Sequence, residues 1–238
     1  MGDITRDDMR QMARQLGLTN GDVSSPVRPD TIKAQCNRCG TCCKTQPGIV
    51  LSLCDIFRIS GRLDIRPKVF IRKYCQDSRA YDIFGQGPFP GISIATRNGI
   101  CPFYKAQSGC TINDVKPEIC RLYPFNTLHV TRASLLKMQR MKDGECYKGC
   151  YVFGFGNHSV LVPDFDALAA YHIRMFVTRE YFTRSDGQWH DDLARKARDN
   201  SLQLAGNDKT LETFVLQMRA AFEDFDRRNA EMLAEAIK

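Results

Sequence analysis

The sequence lacks the long apolar run that a membrane-spanning helix requires. No stretch approaches the roughly 20 apolar residues needed to cross a bilayer. The N-terminus has no basic segment followed by an apolar core, so we expect no secretory signal peptide. Gly2 does not begin a myristoylation motif, because Arg6 occupies the position that requires Ser or Thr. We therefore predict a cytoplasmic protein with no membrane span.

The sequence also lacks a continuous run of basic residues, although its net charge is +7. Lys and Arg are scattered along the chain, which makes nucleic acid an unlikely class of partner. A second explanation for the charge is that thiolate ligands are negative and need nearby cations. Arg38, Lys44 and Arg121 all lie beside cysteines. The sequence identifies no particular redox or protein partner.

Cysteine, in contrast, is abundant, with 11 in 238 residues. The odd count, the adjacency of Cys42 and Cys43 and the expected cytoplasmic location all argue against a disulfide framework. Core packing accounts for single buried thiols, and we expect it for Cys54 and Cys75, which lie in apolar helical patterns. It does not account for four cysteines within eight residues. The pattern favours metal ligation.

The first cysteine group has the spacing C-x2-C-x2-C-C, formed by Cys36, Cys39, Cys42 and Cys43. A C-x2-C-x2-C run lets a chain wrap around one metal cluster, as in bacterial-type ferredoxins. Gly40 relieves crowding where the backbone passes close to the metal. Because the side chains of neighbouring residues diverge, Cys42 and Cys43 fit different corners of a cluster, or two different metal centres, better than they fit a single ion. This predicts more than one metal atom.

The remaining candidate cysteines are dispersed. Cys101, Cys110 and Cys120 are separated by intervals too long for a zinc-finger knuckle, so we expect separate loops to carry each thiolate to the site. Cys146 and Cys150 form a third group beside several glycines. Arg121 follows a candidate ligand directly, and we expect its guanidinium to donate to a thiolate or an inorganic sulfide.

These motifs resemble those of the YkgJ-type cysteine-cluster family, which is described as zinc- or iron-chelating. The similarity covers residues 34–156 and includes the first cysteine group, Leu-Ser-x2-Asp-Ile, Cys-Pro-Phe, Gly-Cys-Thr-Ile and Lys-Pro-Glu-Ile-Cys-Arg-Leu-Tyr-Pro-Phe. The resemblance implies these metal ligands: Cys36, Cys39, Cys42, Cys43, Cys101, Cys110 and Cys120, with Cys146 or Cys150 as a later one. Members similar to flagellin lysine N-methylases make protein methylation an alternative activity. This chain lacks the C-x3-C-x2-C run of radical SAM enzymes.

The ligand count allows two kinds of centre. Eight thiolates could hold two [4Fe–4S] clusters or two zinc ions, with four cysteines for each centre. Zinc sites generally use paired short spacings, and only the first group shows them. We therefore predict one or two [4Fe–4S] clusters in electron transfer or cluster-dependent chemistry. The alternatives are a cluster-dependent protein-modifying enzyme and a structural zinc protein, and the sequence does not decide whether the chain is an enzyme.

We expect an α+β, helix-rich fold with a loop-rich, metal-organised core and a helical C-terminal part. The predicted segments are an N-terminal helix and linker over 1–33, the cysteine-cluster domain over 34–156, and a helical region over 157–238 that packs on it. Hydrophobic periodicity and capping residues predict helices over 5–17, 52–63, from Pro67 to about Tyr74, 164–183, 188–199 and 208–237. Strands are predicted at 49–51 and 92–96, a loop over 78–91 and a turn at Asn98-Gly99.

Overall fold

The computed structural model is a helix-rich α+β arrangement with small antiparallel sheets, as the sequence predicted. It describes residues 32–33, 36, 38–40, 43–44, 48–80, 88–123, 139–140, 150–155, 158–163 and 165–214. The strands are β1 (Ile32–Lys33), β2 (Ile49–Val50), β3 (Cys75–Ala80), β4 (Phe89–Ile94), β5 (Tyr104–Lys105), β6 (Gly109–Cys110), β7 (Gln139–Arg140), β8 (Cys150–Phe155) and β9 (His158–Pro163). The helices with described bounds are α1 (Leu53–Arg62), α2 (Pro67–Tyr74), α3 (Glu118–Arg121), α4 (Phe165–Arg184) and α5 (Asp191–Ala205). Residues 208–214 are also helical.

Helices α1 and α2 begin at the residues that the sequence indicates. Ser52 caps α1 through a capping box, in which its hydroxyl accepts from the Asp55 backbone N–H while the Asp55 carboxylate accepts from the Ser52 backbone N–H. Pro67 occupies the first turn of α2, where its missing N–H costs no hydrogen bond. Both predicted helices are therefore confirmed.

Within the described residues, the strands form three antiparallel sheets. Their orders are β2-β4-β3, β1-β8-β9-β7 and the two-stranded β5-β6. Asn98 and Gly99 have positive φ values of 52° and 77° and form the predicted turn between the bridged residues Arg97 and Ile100.

The predicted loop over 78–91 is wrong at both of its ends. Residues 78–80 complete β3 and residues 89–91 begin β4, and the two segments pair in register from Ser78 opposite Gly91 to Ala80 opposite Phe89. Strand β3 has the polar sequence CQDSRA, so it has no apolar alternation to reveal it. Pro90 lies in β4 at a point where only β3 pairs with it, because β2 pairs with β4 only at Ser93 and Ile94. Proline has no backbone N–H to donate, and it is tolerated where a strand has a paired neighbour on one side alone.

The core lies between α1, the β2-β4-β3 sheet and helix α4. Tyr171 and Phe182 from α4 are buried in the same apolar cluster as Ile56 and Ile59 from α1 and Ile94 from β4. The Leu53 backbone N–H at the start of α1 donates to the Thr178 hydroxyl at 3.1 Å, which ties the two helices together. The predicted helices 164–183 and 188–199 are confirmed as α4 and α5, and α5 continues to Ala205.

Some predictions fall on residues outside this description. The helix over 5–17 and the part of the last helix beyond residue 214 lie outside the described residues. The segment boundaries at 33/34 and 156/157 stay predictions. Within the described part of the chain, every helix is too short or too polar to cross a membrane.

Candidate metal centre

Six cysteines, three from one compact run and three from more distant parts of the sequence, line one pocket. They are Cys36, Cys39, Cys43, Cys101, Cys110 and Cys120. The pocket has an empty volume of about 530 Å³, which includes space open to solvent. Ile49, Ile94 and Ile112 form much of the remaining wall, while the basic residues Arg38 and Lys116 contribute the charge. The fold thus brings together one compact cysteine run and three dispersed cysteines, in a largely apolar setting.

The backbone of the first cysteine run curls around the pocket. Arg38 has φ 60° and Gly40 has φ 80°, so this short stretch twice adopts the left-handed conformation. The Arg38 backbone N–H points at the Cys36 sulfur, 3.4 Å away. The carbonyl of Gly40 then accepts from the backbone N–H groups of Cys43 and Lys44 at 3.0 and 3.1 Å. A backbone donor aimed at sulfur favours the thiolate, which is the form that binds metals.

The β5-β6 hairpin lies directly against this run. A Cβ atom added to Gly40 would lie 2.4 Å from Cε2 of Tyr104, so a larger residue would force the Tyr104 ring to move. Gly109 also approaches Arg38 closely, since an added Cβ would be 2.9 Å from the Arg38 Cβ. These two contacts fix the hairpin, and with it Cys110, beside the first cysteine run.

Cys101 and Cys43 are joined through their backbones. The Cys101 N–H donates to the Cys43 carbonyl at 3.0 Å, and the Tyr104 N–H donates to the Cys101 carbonyl at the same distance. Cys101 is buried, Cys43 is half-buried and Cys39 is exposed. The cysteine pocket therefore extends from the apolar core to the surface.

Cys120 lies in the single-turn helix α3, which is held by a group of buried polar residues. We call this group the buried charge network, and it consists of Ser52, Asp55, Arg58, Glu118 and Arg174. Asp55 Oδ1 accepts from the Glu118 backbone N–H at 3.0 Å and from Arg58 Nη2. The Glu118 carboxylate accepts from Arg174 Nη1 and, at 3.3 Å, from the Ser52 hydroxyl. The network thus connects helices α1, α3 and α4.

The two carboxylates of the network are almost completely removed from solvent. Asp55 is 0% exposed and Glu118 is 7% exposed. Burial raises the pKa of Glu118, and the negative charge of Asp55 raises it further, while Arg174 and Arg58 act in the opposite direction. A buried carboxylate is costly unless it is paired and hydrogen-bonded. Asp55 accepts from Arg58 and from two backbone N–H groups, and Glu118 accepts from Arg174 and from the Ser52 hydroxyl.

Sequence reasoning missed this network. The signals that its residues carry are local: Asp55 completes the capping box of α1. The long-range pairing was not visible, although two acidic residues inside the Leu-Ser-x2-Asp-Ile and Lys-Pro-Glu-Ile-Cys motifs are a signal that could have prompted it.

Arg121 supports the loop that precedes Cys120. Its Nε donates to the Lys116 carbonyl at 3.1 Å, and its Nη2 donates to the Asp114 carbonyl at 2.9 Å. Arg58 donates to the same loop at the carbonyls of Val115 and Lys116. The loop supplies Lys116 and Pro117 to the pocket wall. The expected donation from Arg121 to a thiolate or sulfide stays a prediction.

The other cysteines have different positions. Cys42 and Cys146 lie outside the described residues, and Cys150 is the first residue of β8, where it is paired with Pro163. Cys54 is buried in α1 with its sulfur 3.3 Å from the Ser201 hydroxyl. Burial raises the pKa of Cys54 and raises that of Cys75 to about 12, so both are neutral thiols at physiological pH.

The ligand assignments stay predictions at this stage. Among the described residues, no three Cys, His, Asp or Glu side chains are arranged as a finished site for one metal ion. Cys42, which belongs to the first run, lies outside the described residues. What the described cysteines supply is a set of soft donors around one pocket, the donor type that suits zinc and iron–sulfur centres.

Comparison with protein families gives a match for the segment that contains the pocket. Residues 35–152, about half of the chain, match the CxxCxxCC family model, whose description is "putative zinc- or iron-chelating domain". No curated protein and no solved structure matches the chain. The matched segment contains all six cysteines that line the pocket, and its limits agree closely with the resemblance over 34–156. Through residues 35–152, the chain belongs to the CxxCxxCC family of zinc- or iron-chelating domains.

Proposed function

We propose that this metal-binding protein holds one or two [4Fe–4S] clusters in the cysteine pocket and serves in electron transfer or cluster-dependent chemistry. The observation that carries the proposal is the meeting of six cysteines from separate parts of the chain in one pocket. The ligands would be Cys36, Cys39, Cys42, Cys43, Cys101, Cys110 and Cys120, with Cys146 or Cys150 as a further one.

The distribution of the cysteines supports a cluster over single zinc ions. Structural zinc sites draw their ligands from short paired spacings. In this pocket Cys101, Cys110 and Cys120 arrive singly, on a turn, a hairpin strand and a one-turn helix. A cluster has several iron atoms, each of which needs a ligand. Ligands that come from different directions therefore suit a cluster better than they suit a single zinc ion.

The surroundings of the pocket support a redox role. The potential of an iron–sulfur cluster depends on its burial, its net charge and the hydrogen bonds to its sulfurs. Three isoleucines shield the pocket, and the Arg38 N–H is placed to donate to the Cys36 sulfur. The exposed position of Cys39 gives one side of the centre a short route to a partner at the surface. When bound, the cluster supplies the electron; the chain supplies the ligands, the shielding and the charge.

Anaerobic purification followed by iron, sulfide and zinc analysis tests the proposal. We expect a coloured protein with iron and acid-labile sulfide in equal amounts and an EPR signal that changes on reduction. Replacing Cys43 with serine should lower the iron content, whereas Cys75→Ala, which removes a thiol outside the pocket, should leave it unchanged. A colourless protein with stoichiometric zinc and no sulfide would overturn the proposal.

A further inference from the structure

The helix that carries Cys120 cannot hold its own position. Helix α3 has only four residues, Glu118–Arg121. One turn of helix is unstable in isolation, because the conformational entropy lost in forming it exceeds the stabilisation from a single hydrogen bond. Its N-cap, Pro117, makes no side-chain hydrogen bond to the turn. The position of the Cys120 thiol must therefore be set by contacts from elsewhere.

The polar contacts among them come from the buried charge network, while Ile119 and Leu122 pack into the apolar core. The Glu118 N–H is at the start of α3 and therefore has no acceptor within that helix. It donates instead to Asp55 Oδ1 on helix α1. The Glu118 side chain accepts from Arg174 on helix α4 and, at 3.3 Å, from the Ser52 hydroxyl at the start of α1. Helix α3 is thus held at its backbone by α1 and at its first side chain by both Arg174 and Ser52, two residues before Cys120.

Arg174 is the one member of the buried charge network that lies outside the segment matching the family model. Ser52, Asp55, Arg58 and Glu118 all lie within residues 35–152, the segment that matches the family model. Arg174 lies beyond it, in the C-terminal helical part. Its guanidinium is partly buried, with 22% of the side chain exposed, and its charge is directed at the buried carboxylate of Glu118.

We infer that Arg174 is a positioning residue for the metal centre: by holding Glu118 it fixes helix α3 and the Cys120 thiol, so that retention of the metal depends on a helix outside the matched domain. This inference rests on the proposed role of Cys120 as a ligand, but it applies equally to a cluster and to zinc. Substitution of residues that orient metal ligands typically weakens metal affinity by about 10- to 100-fold.

The test compares metal release from the purified holoprotein to a chelator in four variants. Arg174→Gln removes the charge that holds Glu118, and Arg174→Lys keeps the charge but loses the planar fork of donors. Arg184→Gln is the matched control, because Arg184 lies on the same helix and pairs with Glu180 while its side chain is 82% exposed. The double variant Glu118→Met/Arg174→Met replaces the whole ion pair with apolar side chains, which avoids leaving a buried charge unpaired.

We expect release from Arg174→Gln to be at least about tenfold faster than from the wild type, with Arg174→Lys intermediate and Arg184→Gln unchanged. In the double variant the midpoint of thermal unfolding should return towards the wild-type value while metal release stays fast. If the ion pair only stabilised the fold, metal release would return to the wild-type rate together with the midpoint. Wild-type release from Arg174→Gln, or normal retention in the double variant, would overturn the inference. If the wild type holds zinc without sulfide, the proposed cluster fails, yet the relative release rates still decide the role of Arg174.

Discussion

Replacing Gly40 with alanine tests whether the cysteine pocket depends on the close contact between the first cysteine run and the β5-β6 hairpin. Two effects add at this position. A left-handed backbone conformation costs a residue with a Cβ atom about 1–2 kcal/mol, and Gly40 has φ 80°. The new methyl group would also lie 2.4 Å from Cε2 and 2.7 Å from Cζ of Tyr104. Overpacking of this kind costs about 1–3 kcal/mol, so we expect a total loss of about 2–5 kcal/mol.

Gly48 is the matched control for this substitution. It has φ 83°, almost the same as Gly40, but an added Cβ would have none of the described residues within 4 Å. Gly48→Ala therefore pays the backbone cost alone, about 1–2 kcal/mol. The difference between the two variants isolates the contact with Tyr104.

The assay is thermal unfolding of the metal-loaded protein, with each variant at the same metal content. For a chain of this size, 1 kcal/mol corresponds to about 2–4 °C in the midpoint. Because the contact with Tyr104 accounts for about 1–3 kcal/mol, Gly40→Ala should melt about 2–12 °C below Gly48→Ala. The Gly40 variant should also release its metal faster, because the displaced hairpin carries Cys110. Equal midpoints for the two variants would show that the contact has no such role.

Two further predictions concern residues away from the pocket. Burial lowers the pKa of His172 to about 3 from its ordinary 6.5, so its contribution to stability is fully present above pH 6.5 and is lost as the pH falls towards 3. Between about pH 6 and 4, the free energy of unfolding of His172→Leu should therefore fall less steeply with decreasing pH than that of the wild type, by about 1.4 kcal/mol per pH unit. Equal slopes for the variant and the wild type would contradict this. Gly61 lies near the end of α1, where an added Cβ has nothing within 4 Å. Gly61→Ala should raise the unfolding free energy by about 0.5–1 kcal/mol in a denaturant titration, and a loss of stability would refute the open environment described for it.

The sequence predicts the parts of this fold whose signals are local. Ser52 and Pro67 mark the starts of α1 and α2 because a side-chain cap and a fixed φ act within one turn of chain. Asn98-Gly99 marks its turn for the same reason, since both residues accept positive φ. These predictions needed no knowledge of the rest of the molecule.

Features that depend on distant partners were not predictable in this way. Strand β3 exists because β4 pairs with it, and its own polar sequence gives no sign of a strand. The partnership of Glu118 with Arg174 joins residues 56 positions apart and follows no sequence spacing. The cysteine pocket is intermediate: its members were predicted as a group, but the packing of Gly40 against Tyr104 and of Gly109 against Arg38, which places Cys110 beside the first run, was not.

The meeting of Cys36 and Cys120 in one pocket also has a consequence for the synthesis of the protein. The two residues are 84 positions apart in the sequence. At the usual elongation rate of about 5–20 residues per second, the first run leaves the ribosome roughly 4–17 s before Cys120 does. For most of that interval its thiols have neither the hairpin nor helix α3 beside them, since Cys110 is made only ten residues before Cys120. The first thiols of the pocket are therefore exposed to any soft metal ion in the cell before the last one has been made.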